Sequence, residues 1–77
     1  MQAEKIDLRK WRQEKGIALA TIADSTKLSL RQLEAIEAGD FNRLPGGIYT
    51  VSYIKQYASA VDFDQAAILT WYRSAVN

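Results

Sequence analysis

Apolar positions in this chain recur every three to four residues, and no segment alternates apolar and polar residues as a half-buried strand would. The sharpest segment is Leu28-Ser29-Leu30-Arg31-Gln32-Leu33-Glu34-Ala35-Ile36-Glu37-Ala38-Gly39. Ser29 suits an N-cap, because its hydroxyl can accept from a first-turn amide that has no helical partner. Gln32, three residues on, can reach back to the cap and complete a capping box, while Leu28 and Leu33 stand in the relation of a hydrophobic staple. Gly39 can take the left-handed conformation that ends a helix. Leu33 and Ile36 give this helix its inward stripe.

Four more helices are expected around it. The first runs from about Lys5 to Lys15 and stops at Gly16, with Asp7 available as a later N-cap. Leu8 and Trp11 share its inner face, and Arg9, Lys10, Arg12, Gln13 and Lys15 are expected outside. The second starts near Ala18, a residue with no capping side chain, and runs to about Ser25. Ile17 and Ile22 repeat the staple spacing, and Ala23 is small enough for a close helix crossing. Thr26-Lys27 then turns directly into the capped helix, so residues from about 18 to 38 form a helix-turn-helix. Asp40 to Gly47 reads as a loop anchored by Phe41 and Leu44. A fourth helix covers about 47–60 and a fifth about 64–75, capped by Asp64 and stapled by Phe63 and Ile68. The predicted fold is all-α, five short helices in a single domain spanning residues 1–77.

The fourth helix carries more apolar surface than one core face uses. Ile48, Val51, Ile54, Ala58 and Val61 fall on one arc, taken as the core stripe. Tyr49, Tyr53 and Tyr57 follow at i, i+4 and i+8 as a second stripe beside it, and together they exceed the arc a surface helix needs. Tyrosine joins a large apolar ring to a hydroxyl that tolerates water, which suits contact surfaces. Tyr49, close to Phe41, is expected to pack on the core. Tyr53 and Tyr57 admit two readings, packing beneath the fifth helix near Trp71 and Tyr72, or docking a partner, with Lys55 and Gln56 as the polar rim.

Composition narrows the chemistry. The chain has 77 residues, no cysteine and no histidine, so thiolate metal sites, disulfides and the commonest general base are all missing. Its carboxylates form no recognisable acid/base pair. No catalytic, metal or cofactor site is therefore expected, and the protein is read as a non-enzyme. Ten basic residues against nine acidic leave a net charge of +1, without the basic excess usual in a nucleic-acid binder. No apolar run reaches membrane-spanning length and no signal peptide opens the chain.

The string Gly16-Ile17-x-Leu19-x-x-Ile22-Ala23-x-x-Thr26, with Leu28-Ser29-x-x-x-Leu33-x-x-Ile36-Glu37-x-Gly39, resembles the lambda-repressor-like XRE/Cro class of helix-turn-helix domains. The continuation Gly39-Asp40-Phe41-Asn42-Arg43-Leu44-Pro45-Gly46-Gly47-Ile48-Tyr49, with Ser52-Tyr53-Ile54-Lys55-Gln56-Tyr57-Ala58 and Val61-Asp62-Phe63-Asp64, is more specific. It resembles the N-terminal cytoplasmic domain of the RodZ family, from about Leu8 to Tyr72. These are bacterial cell-shape proteins whose helix-turn-helix domain binds the actin homologue MreB. The resemblance implies an MreB-like protein partner met through fourth-helix aromatics matching Tyr53 and Tyr57. It also implies a cytoplasmic domain excised from a longer inner-membrane protein, with a linker, one transmembrane helix and a periplasmic part downstream. Two positions depart from the pattern: Trp11 stands where small residues are common, and Ala18 replaces the usual hydroxyl cap.

The alternative implied by the XRE class is a sequence-specific DNA-binding regulator. Its contacts would come from Arg31, Lys27, Gln32 and Arg43. The outward positions of the capped helix are read as Leu30, Arg31 and Ala35, of which only Arg31 can make a bidentate base contact. The preceding helix offers Ala18 and Leu19 where phosphate contacts are usual. Glu34, Glu37 and Asp40 put negative charge behind it, although Glu37 also suits a structural partner of a basic residue. DNA is therefore the disfavoured partner.

Overall fold

The five expected helices are all present in the computed structural model, which describes residues 6–76. They are α1 (Leu8–Glu14), α2 (Leu19–Thr26), α3 (Leu30–Ala38), α4 (Gly47–Val61) and α5 (Gln65–Val76), with a single 3-10 turn at Phe41–Arg43 between α3 and α4. No strand occurs among the described residues. The fold is an all-α helix-turn-helix bundle.

Caps set the boundaries. Asp7 accepts from the Lys10 amide at 3.1 Å, so α1 begins at Leu8; the expected start at Lys5 lies outside the described residues. Ala18 opens α2 with extended backbone and no side-chain acceptor. Both halves of the Ser29–Gln32 capping box form, at 3.1 and 3.0 Å. Asp64 accepts from the Ala66 amide at 3.0 Å at the start of α5. Three helices end alike, with a left-handed residue at Gly16, Gly39 or Asp62. The amide after each of these bonds back to Arg12, Ala35 or Ala58 respectively, at 2.9 to 3.2 Å. Gly39 is required twice over: its φ is +74°, and a Cβ there would run into the Trp71 ring.

α3 packs against α1, α2 and the 3-10 turn, and α4 packs against α2 and α5. Leu8, Ile22, Leu33, Ile36, Ile54, Val61 and Ile68 are fully enclosed between them. Trp11 ties α1 to the turn between α4 and α5. Its Nε1 donates to the Val61 carbonyl at 2.8 Å, and its ring meets Phe63 edge-on at 5.0 Å. The unusual tryptophan thus closes the C-terminal end of α4. Phe41 is held edge-on by Trp71 and Tyr72 at 5.1 and 5.3 Å, which seats the loop on α5.

Three expectations of placement are overturned. Arg12 was placed outside with its charged neighbours, yet it is buried, because it lies one turn after Leu8 on the inner face. Ala35 was placed on the outer face of α3 and is 2% exposed, since α1 and α2 both pack on that helix. Ile48 was placed in the core stripe of α4 and is 79% exposed. The buried stripe of that helix is Thr50, Ile54, Tyr57, Ala58 and Val61, rotated toward the tyrosine side.

Candidate functional site

The outer face of α4 follows from that rotation. With Thr50, Ile54, Tyr57, Ala58 and Val61 turned inward, Ile48, Tyr49, Ser52 and Lys55 face solvent. Tyr49 was expected to pack beside Phe41. It is instead 61% exposed, because Trp71 and Tyr72 already enclose the Phe41 ring. Gly46 and Gly47, both with positive φ, lead into α4, whose first turn buries Thr50 and leaves Ile48 and Tyr49 exposed. Tyr53, one turn on from Tyr49, is half-buried, its ring packed on the core edge. Gln56 is half-buried and donates from Nε2 to Ser52 Oγ at 3.3 Å. Ile48 and Tyr49 are adjacent large apolar side chains left exposed at the start of α4, which makes this end of the helix the candidate contact surface.

Tyr57 has no place on that surface. It is 0% exposed, and its hydroxyl donates to Glu37 Oε2 at 2.7 Å. The same carboxylate accepts from Arg12 Nε at 2.5 Å and Nη2 at 3.3 Å, while Arg12 Nη1 donates to the Ile17 carbonyl at 2.9 Å. One ion pair and one phenol thereby join α1, the following turn, α3 and α4. Burial, then the bond to Glu37, pushes the Tyr57 hydroxyl far above its ordinary pKa, against the nearby guanidinium. The Arg12 pKa is raised mainly by its bond to Glu37, which outweighs desolvation. Both groups keep their protons, so the phenol donates, the guanidinium donates and the carboxylate accepts. The sequence carried a signal for this cluster: Arg12 follows Leu8 by four, and Glu37 follows Leu33 by four, both from fully buried leucines.

The alternative DNA set is scattered. Arg31 and Lys27 are exposed on the motif, Lys27 in the left-handed conformation that ends α2. Gln32 is occupied by the capping box, its Oε1 accepting from the Ser29 amide. Arg43 sits in the loop beyond α3, 3.7 Å from Asp40. Leu30 is half exposed beside Arg31, and Leu19, expected on the surface, is partly buried. Among the described residues no group of His, Cys, Asp or Glu is arranged to hold a metal ion. No helix of the described residues is long and apolar enough to cross a membrane.

A helix-turn-helix domain model matches residues 7–68. The chain belongs to that helix-turn-helix family. It is 42% identical over 67 residues to the cytoskeleton protein RodZ of Streptococcus pneumoniae, a match covering 87% of this chain and 24% of that protein. It is 40% identical over 48 residues to the uncharacterized membrane protein YmfM of Bacillus subtilis, covering 62% of this chain and 17% of that protein. No solved structure gives a significant match. The chain is thus a RodZ-like helix-turn-helix domain that spans about a quarter or less of the length of these relatives.

Proposed function

We propose that this helix-turn-helix domain is a non-catalytic docking module of a membrane-anchored cell-shape protein, and that it binds the actin-like protein MreB. The observation that carries the reading is the exposure of Ile48 and Tyr49 at the start of α4, with Tyr53 continuing the flank. The likeness to a cytoskeleton protein and to a membrane protein supports the setting. The surface comprises Tyr49, Tyr53 and Gln56 on one flank, with Lys55 on the opposite flank of the helix and Tyr57 beneath as its support. In this setting the domain lies on the cytoplasmic side of the membrane.

Co-sedimentation with polymerised MreB tests it. Tyr49→Ala with Tyr53→Ala is expected to weaken binding by about tenfold or more, in line with loss of aromatic anchors, while circular dichroism shows the helices intact. A folded double variant that sediments as the parent does would remove the surface.

The exposed Arg31 and Lys27 on the motif favour a second, weaker reading as a DNA binder. Gel-shift at moderate salt separates the two: a saturable, sequence-selective complex lost in Arg31→Ala supports the regulator, and binding that vanishes with salt does not.

A further inference from the structure

The flank of α4 opposite the tyrosines is also shaped. A groove of about 660 Å³ runs between α4 and α5, lined by Gly47, Ile48, Val51, Ser52, Lys55 and Tyr72. Its lining is mostly apolar, supplied by exposed Ile48 and by half-buried Val51 and Tyr72. Lys55 is the single charged residue in the fifteen of α4, and no carboxylate lines the groove. It joins no ion pair among the described residues; the same holds for Arg9, Lys10, Lys27, Arg31 and Arg73, but Lys55 alone of these lines the groove. An apolar trough with one unpaired cation on its rim has a definite complement, an apolar side chain with a carboxylate next to it.

We propose that this groove is a second contact site for the protein partner, taking an apolar side chain of an acidic segment whose carboxylate pairs with Lys55. The proposal rests on the docking reading and adds the chemistry of the partner's contact. The tyrosine flank provides apolar anchorage without charge. The groove provides direction, because a carboxylate meets Lys55 only when the segment lies in one orientation along α4. Desolvating that pair beside Ile48 makes it stronger than an exposed rim pair and sensitive to charge reversal.

Two measurements test this independently of each other. In co-sedimentation with polymerised MreB, Lys55→Glu and Ile48→Ser are each expected to weaken binding about tenfold, and Lys55→Arg to bind as the parent does. Both residues are solvent-exposed, so the variants keep the fold. If both variants bind normally while the Tyr49/Tyr53 variant fails, the groove is wrong and the docking surface stands. If the parent itself does not sediment, the docking reading fails, and the groove is judged by the second measurement.

That measurement is an amide-shift NMR titration of the whole domain with 4-phenylbutyrate and its neutral analogue 4-phenylbutanol. Shifts confined to residues 47–55 and Tyr72, severalfold stronger for the carboxylate and equalised by Lys55→Gln, support the site. Equal response to the two probes, or shifts elsewhere, overturns it. A concentration-dependent dimer in sedimentation velocity that Ile48→Ser abolishes also overturns it, by giving the groove to a second copy of the chain.

Discussion

At the scale of single residues, the Arg12–Glu37–Tyr57 cluster is the most consequential polar feature. The Arg12 and Glu37 side chains are only 10% and 7% exposed. A buried ion pair contributes little net stability relative to apolar replacements, but removing one partner strands the other charge. Glu37→Ala is therefore expected to lower stability by about 3 kcal/mol or more, measured by urea unfolding. Arg12→Met with Glu37→Leu and Tyr57→Phe, which leaves no buried polar group of the cluster unpaired, should recover most of that loss. Tyr57→Phe is expected to cost about 1.5–3 kcal/mol, the value of one hydrogen bond to a charged acceptor. The sign of its pH effect follows from the raised folded-state pKa. Below about pH 10 the phenol is protonated in both states and its contribution is constant. Above that the unfolded chain releases its proton while the folded chain holds it, so stability falls with rising pH. Comparing urea midpoints at pH 9 and 11, the parent should lose more than Tyr57→Phe does.

At the scale of elements, caps and turns offer the clearest changes. Ala18 already has N-cap backbone geometry, φ −78° and ψ 143°, but no acceptor. Ala18→Ser should raise stability by about 1 kcal/mol, seen as a higher melting temperature. Lys27 ends α2 at φ +65°. Lys27→Gly should relieve about 1 kcal/mol of left-handed strain. Asp62 at φ +56° should gain less from the same change, because aspartate visits that region more readily. Gly39→Ala is expected to cost about 2–4 kcal/mol, combining left-handed strain with the collision against Trp71. In a domain this small that is a large share of total stability.

At the scale of the whole molecule, α3 and α4 differ in what they leave exposed. α3 is enclosed by α1, α2 and the 3-10 turn, and its outer side offers Leu30, Arg31 and Glu34, one cation between an apolar residue and an acid. α4 lies against α2 and α5, and its free side carries Ile48, Tyr49 and Lys55. Swapping charge on the two helices should separate their roles. Arg31→Glu is expected to leave MreB co-sedimentation within about twofold of the parent, since surface charges far from an interface change affinity little. Equal loss in Arg31→Glu and Lys55→Glu would mean that the motif helix shares the contact.

The local sequence by itself determined where the helices lie. Ser29 with Gln32, Asp7, Asp64, Gly16 and Gly39 act within a few residues of themselves, so their hydrogen bonds and backbone angles are legible without a fold. It also marked Leu33 and Ile36 of α3 and Ile68 of α5, all fully buried. The tertiary structure alone decided which side of α4 faces in. That helix is apolar over so wide an arc that periodicity fits more than one rotation, and neighbouring helices settle it. Trp71 and Tyr72 take the space beside Phe41 and leave Tyr49 outside, and Glu37 draws Tyr57 inside. Arg12 was misplaced for the same reason: its partner lies 25 residues away, and only the packing of α1 on α3 gives its charge a place in the interior.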